Sequence, residues 1–174
     1  MTRQQLEHVI RAAAANADTR EVIIIGSQAI LGAHPDAPDE LLASVEADVF
    51  PKDRPSDSIL IDGAIGERSI FHETFGYYAH GVDESTAILP NGWRERLVRV
   101  ENENTRGAIG WCLEPHDLAI SKLIAGREKD LAFVSALHRH SIVQKPVLHM
   151  RLMATPLEDH RRELCFGRLE RLVE

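Results

Sequence analysis

Four consecutive β-branched residues, Val22-Ile23-Ile24-Ile25, run directly into Gly26-Ser27, and no other stretch restricts this chain as tightly. An apolar run with no polar alternation suits a strand buried on both faces. Glycine lets the backbone turn sharply and approach a neighbour closely, so the strand is expected to pass into a short helix over Gln28 to Leu31, ended by Gly32. Ser27 has two roles open to it. It can cap that helix, or offer its hydroxyl and amide to a phosphate at the helix's positive end.

A second strand is expected over Ser44 to Phe50, stopped by Pro51. Within it Glu46 and Asp48 are two residues apart and share a face, while Val45, Ala47 and Val49 occupy the other and belong to the core. Two carboxylates on one face repel each other. Either they face water at a solvated edge, or a hard cation such as Mg2+ compensates them, content with one or two carboxylates plus phosphate oxygens.

Helical spacing of Leu6, Val9, Ile10 and Ala13 predicts a first helix over 2–17, capped by Thr2. Residues 58–62 read as a strand or the end of a helix. The aromatic segment 71–82 is expected to pair its second half with 86–89 as a hairpin, and 95–101 and 109–113 read as strands. Glu114-Pro115-His116-Asp117 opens the best-marked helix, with proline at the first position and an acid in the first turn. Gly126, in its middle, marks a bend or the start of a second helix. The chain is expected to loosen around Pro146, and an amphipathic helix over 156–173 closes the sequence. Strands before and after helices, with turn signals between adjacent strands, give an α/β or α+β fold: a mixed sheet flanked by helices. Residues 1–140 form its domain, and 141–174 a short C-terminal helical extension packed on it.

Charge is unevenly distributed. The net charge is −7, but residues 1–87 carry 15 acids against 6 bases, and residues 88–174 carry 12 against 14. Such a chain is a poor general nucleic-acid binder, because that affinity comes from neutralising phosphates, although a local basic patch can still grip RNA. No run approaches the roughly 20 apolar residues of a membrane helix. The start Met1-Thr2-Arg3-Gln4-Gln5 lacks the apolar core of a signal peptide, so a cytoplasmic protein with no membrane partner is expected. Cys112 and Cys165 lack ligand spacing and read as core residues. Among the nine histidines, His72 and His80 have no acid or cysteine at ligand spacing and are assigned to surface or core. Phe71, Phe75, Tyr77 and Tyr78 favour core packing over nucleobase stacking, and Arg161, Arg162, Arg168 and Arg171 read as a solvated helix face.

Gly26-Ser27 at a helix start, followed by a strand carrying an acid-x-acid pair, resembles the polymerase-β-like nucleotidyltransferase superfamily. The closer resemblance is to the AbiEii-like toxin nucleotidyltransferases. Their Thr/Ser-x-Asp-x-Asp element stands here as Ser44-Val45-Glu46-Ala47-Asp48. Their second block, Asp-Leu-x-x-x-Lys-Leu and then Arg-x-Lys-Asp, stands as Asp117-Leu118, Lys122-Leu123 and Arg127-Glu128-Lys129-Asp130. The second block is the more specific of the two.

The resemblance implies a nucleotidyltransferase-like fold and a set of roles. Glu46 and Asp48 would hold Mg2+ as metal ligands and catalytic acids. Gly26 and Ser27 would meet the nucleotide phosphates, and Lys122, with Arg127 and Lys129, would neutralise the triphosphate. Asp130 would position the site through Lys122. On a straight helix Lys122 and Lys129 would lie on one face about two turns apart, with Arg127 aimed at a phosphate or a structural acid. The family's first aspartate is Glu46 here, and its third carboxylate has only Asp62 and Glu101 as candidates. The implied activity is Mg2+-dependent transfer of a nucleotidyl group from an NTP to an RNA acceptor, tRNA among them, or to a protein. A toxin role with a cognate antitoxin partner goes with it. The alternative is a catalytically degenerate member of the same fold, acting as a nucleotide-binding or protein-interaction module.

Overall fold

A computed structural model describes residues 1–172. Helix α1, Arg3–Asn16, starts where the sequence places it: the Thr2 hydroxyl accepts from the Gln5 amide, and the Gln5 side chain accepts from the Thr2 amide. This reciprocal cap satisfies two of the helix's orphan donors. There follow β1 (Glu21–Ile24), a 3-10 turn over Ser27–Ala29 leading into α2 (Ile30–Ala33), β2 (Glu46–Pro51), α3 (Ser58–Ile65), α4 (Ile70–Phe75) and β3 (Tyr78–Gly81). Beyond them lie β4 (Val98–Val100), β5 (Ile109–Cys112), α5 (Pro115–Ala125), α6 (Glu128–Arg139), α7 (Lys145–Met153) and α8 (Asp159–Glu170). The chain folds into two compact units, one of Met1–Thr86 with Leu97–Leu113 and one of Ala87–Arg96 with Glu114–Glu174.

The first unit holds a five-stranded mixed sheet in the order β3-β2-β1-β5-β4. Strand β1 runs antiparallel to β2 and parallel to β5, β2 runs parallel to β3, and β4 is antiparallel to β5. The fold is therefore α+β, a mixed sheet flanked by helices, as the alternation of elements predicts. Val22, Ile23 and Ile24 of the central β1 are fully buried, as strand residues covered on both faces should be. Leu6, Val9, Ile10 and Ala13 of α1 are buried as well.

A buried acid ties α1 to the chain between β4 and β5. Glu7, only 5% exposed at its side chain, accepts from Arg3 at 2.9 Å, Asn102 at 2.7 Å and Asn104 at 2.8 Å. Burial pushes its pKa up, but these donors and the Arg3 charge outweigh burial and hold it below the ordinary value of 4.5. A depressed carboxylate contributes stability that is present above its unfolded pKa and lost as pH falls through its folded one. Glu7→Gln is thus expected to lower stability by about 1–3 kcal/mol at pH 7. The gap should narrow as pH falls below the ordinary carboxylate value and close once it passes the depressed folded one, and urea titrations of both proteins across that range would show it.

Several local expectations give way. Residues 58–62 begin helix α3, which buries Ile61 and Ile65 four residues apart and leaves Ile59 and Leu60 exposed. The expected hairpin over 71–89 is absent. Ser69 accepts from the His72 amide and opens α4, Gly76 closes it at φ 76°, and β3 then pairs parallel with β2. Phe71, Phe75 and Tyr77 gather with His8 of α1, whose ring lies 4.9 Å from Phe71 and 4.7 Å from Phe75. Tyr77 is buried, as core packing requires, whereas Phe75 remains 47% exposed.

In the second unit, residues 93–96 form a 3-10 turn, which takes Glu95 and Arg96 out of the strand expected over 95–101. Of the two readings open at Gly126, the second holds: at φ 67° it ends α5, and α6 begins two residues on. Pro146 opens α7, since its missing amide costs nothing in a first turn. The closing helix is shorter than 156–173, and the last expected residue, Val173, lies outside the described ones. Its arginines are not a uniformly solvated face. Arg162 donates to the carbonyls of Leu152, Thr155 and Leu157, and Arg168 to those of Leu123 and Ile124 at the end of α5. Cys112 and Cys165 are buried free thiols. Among the described residues no helix is long and apolar enough to cross a membrane.

Candidate functional site

The alternation of β2 divides its side chains as expected within the strand. Ala47 and Val49 are fully buried, while Glu46 and Asp48 emerge on the other face, 37% and 26% exposed. Val45 precedes the strand and is exposed rather than core. The Gly26 turn closes on this face. A Cβ placed on Gly26 would lie 2.8 Å from Asp48 Cγ, 3.1 Å from Asp48 Cβ and closer still to Oδ2. Gly26 has an ordinary extended backbone, φ −76° and ψ −173°, so glycine is needed here for proximity to Asp48 and not for conformation. Ser27 does not cap: Gly26 is the cap residue, and no side-chain hydrogen bond is made there. The Ile25 amide donates to the Asp48 carbonyl at 3.1 Å and pins the turn to β2.

Strand β3 supplies two groups that the sequence reading missed. In the parallel register Tyr78 lies beside Glu46 and His80 beside Asp48. The Tyr78 hydroxyl donates to Glu46 Oε2 at 2.7 Å, and His80 Nδ1 is 3.3 Å from Glu46 Oε1 and 3.4 Å from Asp48 Oδ1. One ligand atom each from Glu46, Asp48 and His80 lie within 4.8 Å of one another. His80 therefore does have acid partners, contrary to its assignment from spacing. The only available signal was that polar residues at 78 and 80 alternate on one strand face. Reading the segment as a hairpin hid its pairing with β2. Of the candidates for a third acid, Asp62 accepts from the Gly81 amide at 3.3 Å, and Glu101 pairs with Arg20 and Arg99. Neither joins the group.

Electrostatics favour a charged Glu46. Burial pushes Glu46 up, but the Tyr78 hydroxyl, a hydrogen bond shared with Asp48 and the neighbouring His80 outweigh it and hold the carboxyl below its usual range. The Tyr78 phenol is pushed well above its ordinary value by burial and by the adjacent carboxylates, so it remains a donor. The donor set of two carboxylates and one imidazole fits a divalent cation. Gly26 leaves the Asp48 carboxylate the space a side chain would take.

The second block assembles separately, at the junction of α5 and α6. Arg127 caps α6, and Asp130, three residues on, accepts from Arg127 Nε at 2.6 Å and Nη2 at 3.1 Å, with Lys122 Nζ 3.4 Å away. Asp130 is 2% exposed at its side chain. Burial pushes it up, yet the Arg127 hydrogen bond and the Lys122 and Arg127 charges hold it below the ordinary carboxylate value. Thus Asp130 holds Lys122 in place, and Arg127 meets an acid. Lys129 is exposed. The break at Gly126 removes the straight helix on which Lys122 and Lys129 would share a face. Asp117, the first acid of the block, is fully buried against Arg96 at 2.8 and 3.1 Å and Arg151 at 3.4 Å.

A mixed sheet with a strand–Gly–Ser turn closing on an acid pair defines a nucleotidyltransferase-like protein. The chain belongs to the family described as nucleotidyltransferase of unknown function (DUF6036), whose model matches residues 4–162. No curated protein and no solved structure matches it.

Proposed function

We propose that this chain transfers a nucleotidyl group from an NTP to a hydroxyl of an RNA acceptor, with Glu46 and Asp48 holding the divalent ion the reaction needs. One observation carries the reading: the Gly26 turn comes against Asp48 as no other residue could, and Glu46 shares the exposed face of β2 with that acid. In the reaction an acceptor oxygen bonds to the α-phosphorus, the bond from that phosphorus to the α,β-bridging oxygen breaks, pyrophosphate leaves, and the hydroxyl proton passes to water. A bound divalent ion, Mg2+ by family resemblance, supplies Lewis-acid stabilisation of the entering and leaving oxygens. The protein's own residues do the positioning. Tyr78 occupies Glu46 Oε2 and leaves Oε1 beside His80. The resemblance gives Lys122, with Arg127 and Lys129, to the triphosphate, and within its own unit Asp130 fixes the Lys122 ammonium. The AbiEii-like spacing of the second block supports a toxin role, with tRNA as acceptor and an antitoxin as partner.

The test is incubation of wild type and Asp48→Ala with each labelled NTP, Mg2+ and total tRNA. Label should pass to RNA, and Asp48→Ala should reduce transfer about a thousandfold or more, the several kcal/mol expected of a metal ligand. Transfer that survives the substitution would remove Asp48 from the reaction. If no NTP labels any acceptor, in tRNA or in lysate, and metal–NTP leaves the melting temperature unmoved, the chain is the non-catalytic interaction module instead.

A further inference from the structure

We infer that His80 is the third ligand of the ion held by Glu46 and Asp48, and that its imidazole makes this site select Mn2+ over Mg2+. The inference rests on the metal reading above and adds to it the ligand and the ion. Donor atoms in cis positions around a six-coordinate ion with bonds of about 2.1 Å lie about 3 Å apart. His80 Nδ1 stands 3.3 Å from Glu46 Oε1 and 3.4 Å from Asp48 Oδ1, both near the spacing of cis donors, and the three groups each offer a ligand atom within 4.8 Å of the others, so one ion can draw them together. The strand register makes this placement systematic, since His80 lies directly beside Asp48 on the neighbouring parallel strand. Tyr78 takes the other oxygen of Glu46, the outer hydrogen bond that orients a ligating carboxylate.

The choice of ion follows from the donors. Mg2+ prefers an all-oxygen shell and gives up water reluctantly, so one imidazole among three protein ligands weighs against it. Two carboxylates and the phosphate oxygens of a nucleotide keep the site hard, while first-row transition ions accept nitrogen readily. Mn2+ accommodates both and supports the same phosphoryl chemistry.

The apoprotein should be titrated with Mn2+ and with Mg2+ by calorimetry, and its Mn2+ complex examined by pulsed EPR for coupling to a ligand nitrogen. Wild type should bind Mn2+ about tenfold or more tightly than Mg2+ and show nitrogen coupling. His80→Ala should lose that coupling and about tenfold in Mn2+ affinity, the lower end of what losing a metal partner costs. His80→Asp, which restores an all-oxygen set, should bring the two affinities together. Mn2+ bound without nitrogen coupling in wild type, a measurement that needs no variant, would overturn the role of His80 while leaving the metal reading intact. The imidazole would then serve only as an ion-pair partner of the acids. Coupling that persists in His80→Ala would assign the nitrogen elsewhere, with His72, whose ring is 4.6 Å from that of Tyr78, the next histidine to test. Failure of both ions to bind wild type would overturn the metal reading and this inference together.

Discussion

Gly26→Ala is expected to disable the candidate metal site as thoroughly as removal of a ligand would. Alanine adopts the observed φ of −76° without strain, so none of the effect comes from the backbone. It comes from the new methyl, which would overlap the Asp48 carboxylate. Asp48 must swing away from Glu46 and His80, or β2 must move from the turn, against the hydrogen bond between the Ile25 amide and the Asp48 carbonyl. Forcing a carbon into filled space costs about 1–3 kcal/mol, and displacing a ligand should weaken Mn2+ binding about 10–100-fold. The cause can be isolated with a double-mutant cycle. On an Asp48→Ala background the carboxylate is gone, so Gly26→Ala should cost much less there in a urea melt. An equal cost on both backgrounds would mean that Asp48 is not what demands glycine at this position.

The parts of this fold that local sequence determines were legible. Thr2 and Gln5 mark the start of α1, the β-branched run marks β1, and Glu46 and Asp48 lie two apart in a strand whose period is two. Those signals need no knowledge of what lies opposite. The third member of the site was not legible, because His80 acquires its meaning only when β3 pairs with β2, across 32 residues and two helices. Ser69 and Gly76 were the available warnings. A cap residue before and a glycine after Ile70–Phe75 are helix punctuation, yet the density of aromatics favoured a hairpin. Gly126 had the same ambiguity. A glycine at that point costs about 1 kcal/mol inside a helix, and only its left-handed conformation, packed against the Arg168 guanidinium, shows that it ends one. The second block was recognisable by spacing while its internal roles were not, since Arg127 and Lys122 converge on Asp130 only because the chain turns there.

The same block carries the largest expected loss of stability, at Asp117. Its carboxylate is fully buried and receives two hydrogen bonds from Arg96, at 2.8 and 3.1 Å, with Arg151 Nε 3.4 Å from Oδ1. Burial outweighs these cations and holds its pKa above the ordinary value, so the site tolerates charge only while the cations surround it. Asp117 and Lys122 are five residues apart on α5 and project in different directions, which separates the structural acid of the block from its lysine. Asp117→Ala removes the acceptor and leaves two guanidinium groups without their counter-charge, one of them with its side chain only 22% exposed. Breaking such a pair from one side costs about 3–5 kcal/mol. Asp117→Asn keeps the shape and one acceptor oxygen, so it should fall between that variant and wild type. Replacing Asp117 and Arg96 together by leucine and methionine should recover much of the loss, because a packed apolar pair can stand in for a buried ion pair. Urea denaturation followed by circular dichroism would rank the variants. A cost below about 1 kcal/mol for Asp117→Ala would place this acid among the weak surface pairs and reopen a direct chemical role for it.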